Sequence, residues 1–473
     1  MKRQTLLGMI ASLTVLGVSF LPVPSQKTTA SQPNSKLVNA ITQTIHKEFA
    51  DADLNEIKSV LTGEQKAGGG PGMQDTVFYS EHIKAATAVT EVFGDGQRLT
   101  AVIVEYDMPI KNSSLSTTAF TVTGRNIMRV YANARSEKSQ VGRDGNFVVI
   151  ELDTADSNAP TYNAQGPVLR QVSVTVNQTA RVQTASGLWY APTTKPISNT
   201  RQMNLIVDDF QQFKFTDPVT GLVLTYNLFI PKNYAPNTKY PMVLFMHDLG
   251  VTNINPYTTL VQGLGATVWA SSEEQVKHPA FVLAPQYPVA LANDSSQTSD
   301  YADVTVRLIQ DLQKRYSIDG NRLYSTGQSG GCMTAIALNI KHPKLFAASL
   351  LVAGQWDATK VAPMAKNKLW IVVSQDDDKA YPGMNAITAE LEKHGARVTR
   401  AVWDGNTSAA QFKRDVADLL QAGPDSSIYY VAFRQGTVIP PGQSTAGAAG
   451  HRNTWRVAYT IEGIRNWLFQ QHR

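Results

Sequence analysis

The pattern of hydrophobic positions in this 473-residue chain changes period near residue 207. From 75 to about 206, short runs rich in Val, Thr, Tyr and Ile recur at 101–106, 119–122, 127–131, 147–152 and 171–176, with turn residues between them. Such runs predict strands, and their spacing predicts a β-sandwich of about seven. Ahead of it, Val38, Ile41, Ile45 and Phe49 stand at helical spacing and predict a helical lead-in over 37–62, ended by the Gly and Pro cluster at 68–72. The first domain is therefore expected over 37–206, lead-in included.

Beyond 207, apolar strand-like runs alternate with helical patterns, which predicts a mostly parallel sheet covered by helices over 207–473. Residues 213–215 and 222–230 flank the turn Asp217-Pro218-Val219-Thr220-Gly221 and predict an edge hairpin. Buried strands are expected at 242–246, 281–284, 322–325, 348–352 and 369–373, with a last strand at 428–433. Val304, Leu308 and Leu312 mark one helical face, and a closing helix is expected over 456–470.

Composition narrows the class. Hydrophobic residues make up 42% and charged residues 17%, so bulk disorder and coiled coils are excluded. A net charge of +5 with no Lys or Arg run offers no nucleic-acid surface. Lys2 and Arg3 precede an apolar stretch over 6–21, which predicts a signal peptide at 1–30, export, and no stable membrane span after processing; an uncleaved anchor is the alternative. Cys332 is the only cysteine, so no internal disulfide can form and a buried core thiol is expected.

Gly327-Gln328-Ser329-Gly330-Gly331 matches G-x-S-x-G between a predicted strand and a predicted helix, the setting in which such a serine serves as a nucleophile. A serine hydroxyl needs an imidazole to take its proton. Of eight histidines, His451 follows the last predicted strand in a Gly-rich loop and is the expected base. The acid is expected in Asp376-Asp377-Asp378. A comparison with D-x-x-V-P loops favours Asp378, four residues before Pro382; a loop one residue shorter presents Asp377. Oxyanion donors are expected from Gly330 and from the loop His247-Asp248-Leu249-Gly250, with Leu249 assigned, Asp248 beside it, and His247 holding the loop. With no HExxH, cysteine cluster or P-loop, neither metal nor cofactor is expected.

With these motifs, residues 205–473 resemble α/β-hydrolase esterases of the polyhydroxybutyrate-depolymerase and feruloyl-esterase-like group, and are similar to prolyl oligopeptidase catalytic domains. Val373-Ser374-Gln375 through Lys379-Ala380-Tyr381-Pro382-Gly383-Met384, with Asp107-Met108-Pro109-Ile110, resembles secreted bacterial esterases that carry an N-terminal immunoglobulin-like domain. The resemblance implies a triad of Ser329, His451 and one Asp of the triplet, acting on small-molecule or polymeric esters. Asp248 departs from the family pattern, which has glycine there. A secreted serine peptidase is the nearest alternative, although no propeller-like repeat precedes the domain. The other is a polymer-binding protein using Tyr162, Trp189 and Tyr190, with a weak hydrolase domain. Residues 251–276 (with Tyr257, Leu260, Leu264 and Trp269), residues 287–301 and Trp356 are the expected walls of an acyl pocket.

Overall fold

The computed structural model describes residues 77–78, 82–163, 168–169 and 172–473. The expected signal peptide, lead-in helix and 68–72 cluster lie outside these residues. A five-stranded sheet, in the order Arg201–Asn204, Ile83–Phe93, Gly96–Ile110, Gly145–Leu152, Ile127–Asn133, faces a three-stranded one of Ile197–Ser198, Thr175–Gln178 and Phe120–Val122. Period-two alternation turns Ala86, Ala88, Val102, Val104, Val148 and Ile150 inward, where they meet Phe120, Val122 and Val176. The alternate positions Val89, Ala101, Ile103 and Val149 are covered as well, by Phe147 and Leu205. Burial on both faces explains why these strands read as nearly unbroken apolar runs.

Ile206, at φ 68, turns the chain out of this sandwich and into a nine-stranded sheet. Its order is Gln211–Thr216, Val223–Phe229, Phe281–Gln286, Tyr240–Met246, Ile318–Gln328, Ala348–Val352, Leu369–Ser374, Ile428–Phe433, Val398–Trp403. The first two pairings are antiparallel and the rest parallel. The edge hairpin is tied to helix Tyr301–Arg315 by the Arg307 guanidinium, which donates to both oxygens of buried Asp217 at 2.5 and 2.8 Å and, as the main cause, holds that carboxyl well below the usual range.

Two features differ from the pattern-based expectation. Val398–Trp403 adds an edge strand outside 428–433; its residues are mostly half-exposed and include Thr399 and Arg400, so no buried apolar run announces it. The closing helix is two helices, Ala449–Ala458 and Glu462–Phe469. The break is stabilised because Thr460 Oγ1 donates to the Val457 carbonyl at 2.7 Å and Arg465 donates to that of Tyr459 at 2.7 Å. Arg465 is itself held by buried Glu274 at 2.7 Å.

Candidate active site

Ser329 stands between strand Ile318–Gln328 and helix Gly330–Lys341, at φ 52 and ψ −120. This is a strained conformation for a residue with a Cβ. Packing enforces the turn. A Cβ on Gly327 would lie 2.5 Å from the Gly331 carbonyl carbon, and one on Gly331 would run into the Met246 carbonyl. Both flanking glycines are therefore sterically required. The Ser329 N–H donates to the Val352 carbonyl at 3.0 Å, which pins the turn to the neighbouring strand.

His451 Nε2 lies 2.9 Å from Ser329 Oγ, and His451 Nδ1 lies 2.5 Å from Asp377 Oδ2. The network places the ring proton on Nδ1, where it is donated to the carboxylate, and leaves Nε2 to accept from the hydroxyl. His451 sits in the first turn of helix Ala449–Ala458, not in the loop expected for it. The Gly-rich run ends immediately before it, at Gly450, which fits only because it lacks a side chain: a Cβ would lie 2.8 Å from the Asp376 carbonyl.

Asp377, not the favoured Asp378, meets the imidazole. After Ser374 the chain turns, with the Asp377 N–H donating to the Ser374 carbonyl at 3.0 Å, and this points the second aspartate inward. Asp377 is 4% exposed, and its Oδ1 accepts the N–H groups of Ala380 and Lys379 at 2.9 and 3.1 Å. Burial pushes its carboxyl upward, but the hydrogen bond and charge of His451 and these two amides bring it below the ordinary value. Asp376 accepts from Gly436 N at 2.7 Å and holds the adjoining loop, while Asp378 is exposed.

Leu249 begins a short 3₁₀ turn, Leu249–Val251, capped by Asp248, whose Oδ1 accepts from Gly250 N at 2.8 Å. The other Asp248 oxygen accepts from Gln328 Nε2 at 3.2 Å, linking this loop to the residue before Ser329. An aspartate replaces the usual glycine here because it caps the turn. Buried His247 donates from Nδ1 to the Asp248 carbonyl at 2.7 Å, and its Nε2 accepts from Tyr287 N. Burial pushes its pKa down, against the opposing influence of Asp248, so the ring is neutral as this pairing requires. The N–H groups of Leu249 and Gly330 make no hydrogen bond among the described residues, and the Leu249 side chain lies against Gly330.

A cavity of about 400 Å³ opens over Ser329 and His451, and Leu249 and Met333 also line it. Asp294, Gln355, Asp378 and Lys379 form its rim; Lys379 and Gln355 both donate to Asp294, at 2.7 and 2.9 Å. Most of the expected walls lie elsewhere. Leu260 and Trp269 are wholly buried in the core, and of 287–301 only Asp294 lines the cavity. Gln355 takes the place expected of Trp356. Met333 was legible only as a helix position one turn beyond Ser329, Lys379 only as part of the stretch 373–384 that carries the resemblance, and Gln355 carried no local signal. Cys332 is buried, and burial pushes its thiol up, away from reactivity. Tyr162 and Tyr190 are buried, and Trp189 lies under the Arg181 guanidinium at 4.5 Å. No helix among the described residues is long and apolar enough to cross a membrane.

Comparison with known proteins bears on the family and the fold. Residues 85–191 match the family model described as the esterase Ig-like N-terminal domain, and residues 219–438 match the one described as putative esterase. The crystal structure of a thermostable esterase is similar over 82% of this chain and 100% of its own, at 28% identity and a TM-score of 0.71. A feruloyl esterase module from Clostridium thermocellum in complex with sinapinate is 14% identical over 54% of this chain and 88% of its own, at a TM-score of 0.35. An acetyl xylan esterase from Aspergillus awamori is 16% identical over 39% and 79%, at 0.31. The last two are too distant to bear on the site. No curated protein matches the chain.

Proposed function

We propose that this protein, an α/β-hydrolase esterase with an N-terminal immunoglobulin-like domain, cleaves carboxylic esters through an acyl-enzyme on Ser329. The observation that carries the reading is the unbroken chain from Ser329 Oγ through His451 to Asp377, at 2.9 and 2.5 Å. Ser329 Oγ attacks the ester carbonyl as its proton passes to His451 Nε2. Asp377 keeps the ring in the correct tautomer and stabilises the imidazolium. The two unpaired amides, Gly330 and Leu249, receive the oxyanion, and the dipole of helix Gly330–Lys341 adds to them. Collapse expels the alcohol, which takes the proton from His451. Water then attacks the acyl-enzyme by the same route, and neither metal nor cofactor enters these steps.

The apolar part of the cavity is confined to Leu249, Met333 and Ala448, which fits a short acyl group. Its polar rim suits an alcohol portion that stays in water, so the ester is a small molecule or stands on a polymer. Lys2, Arg3 and the apolar stretch after them support export, with the esterase acting outside the cytoplasm. The test is hydrolysis of short p-nitrophenyl esters by wild type and Ser329→Ala. The variant should lose on the order of 10⁶-fold in kcat with its circular dichroism unchanged. Activity that survives the substitution would overturn the assignment.

A further inference from the structure

A second cavity, of about 420 Å³, lies between the immunoglobulin-like domain and the helix that carries His451. Asp95, Arg98 and Tyr162 line it from one side, and Arg452, Trp455 and Arg456 from the other. The domains are tightly apposed at its edge: a Cβ on Gly94 would lie 2.5 Å from the Arg456 carbonyl. Arg452 and Arg456 stand four residues apart, on one helix face.

The charges in this cavity do not balance. Among its described lining residues are three arginines and one carboxylate, Asp95, which Arg98 already occupies at 2.5 Å. Arg456 donates Nε to Asn453 Oδ1 at 2.9 Å and a terminal nitrogen to the Val438 carbonyl at 2.7 Å. Neither of these acceptors carries charge, and its other terminal nitrogen is free of any hydrogen bond among the described residues. Burial disfavours its cation, as a depressed pKa shows. Exposed Arg452 has no ion pair among the described residues. A second, independent sign is Tyr162: the residue is 4% exposed, it lines this cavity, and its hydroxyl has no hydrogen-bond partner among the described residues.

We propose that this interdomain cavity binds a small organic carboxylate, held by the guanidinium groups of Arg452 and Arg456 with the Trp455 ring beside its carbon skeleton. A planar guanidinium matches a carboxylate with two parallel hydrogen bonds. The volume is in the range of small-molecule sites. Bulk phosphate would satisfy the charge but leave the Trp455 face uncovered. The ligand would rest on the helix of His451, whose ring meets Trp455 edge-on at 5.0 Å. The inference is independent of how Ser329 acts.

Calorimetric titration of the full chain with benzoate, acetate and inorganic phosphate tests it, on wild type, Arg452→Gln and Arg456→Gln, each first checked for fold and ester hydrolysis. Benzoate should bind at one site, more tightly than acetate or phosphate, and weaken at least tenfold in Arg452→Gln. Arg456→Gln should weaken it similarly, but Arg452, being exposed, gives the cleaner variant. Absence of benzoate binding at millimolar concentration would overturn the proposal. So would binding unchanged in both variants, which would place benzoate in the Ser329 cavity, or phosphate binding as tightly as benzoate.

Discussion

His247 Nε2 accepts the backbone N–H of Tyr287 at 3.0 Å, and through this contact the loop that carries Leu249 is fastened to the end of the neighbouring strand. The contact exists only while the ring is neutral. Burial lowers the pKa of His247 in the folded state below its unfolded value, so in acid the unfolded chain binds the extra proton first. The stability held by this neutral ring is full above about pH 6.5 and is lost as pH falls below it, towards the lower folded pKa. Wild-type Tm should therefore fall on acidification through that window. In His247→Gln the Tm should be lower at pH 8 and depend less on pH between 6.5 and 5, as thermal melts would read; an unchanged pH slope would contradict the role.

Asp377 and Asp378 differ by one position but face opposite environments. Asp377→Asn removes the acceptor that fixes the His451 tautomer and should lower kcat by about 10⁴-fold. Asp378→Asn alters only a solvated rim charge and should leave kcat within a few-fold. Steady-state kinetics on one short ester separates them, and the reverse order would reassign the acid.

The backbone N–H of Leu249 can be deleted without a change of fold. Leu249 opens a 3₁₀ turn, where proline fits, and Asp248 before it is extended at φ −70 and ψ 166, as a residue preceding proline must be. Leu249→Pro should cut kcat by about 10² to 10³-fold, the usual effect of losing one oxyanion donor. Leu249→Ala keeps the amide and should retain most of kcat, while shifting acyl-length preference. Equal losses in the two variants would assign the effect to the side chain instead.

Some of this was written locally. The switch from period-two runs to alternating strand and helix near 207, and the G-x-S-x-G turn between them, are legible because each depends on neighbours a few residues away. Gly327 is read correctly from the motif because the contact that forbids a Cβ there is made within the turn itself, whereas the contact at Gly331 is with Met246 and belongs to the fold. The edge strand Val398–Trp403 escaped because an edge position needs no buried run. The break at 459–461 escaped because the groups that satisfy it include Arg465, whose own partner Glu274 lies far away in sequence.

The sequence by itself determined the order of elements, the strained serine and the set of candidate partners. Tertiary structure decided which of three adjacent aspartates meets His451, since the outcome rests on a single turn after Ser374 and on the burial that follows it. It also decided that Leu260 and Trp269 are core while Met333 and Gln355 line the cavity. Side chains of similar character differ there only in what the packed sheet and helices set opposite them. The pairing of Tyr162 with Arg452 and Arg456 around one cavity likewise belongs to the fold, because residues nearly three hundred positions apart meet only when the two domains pack.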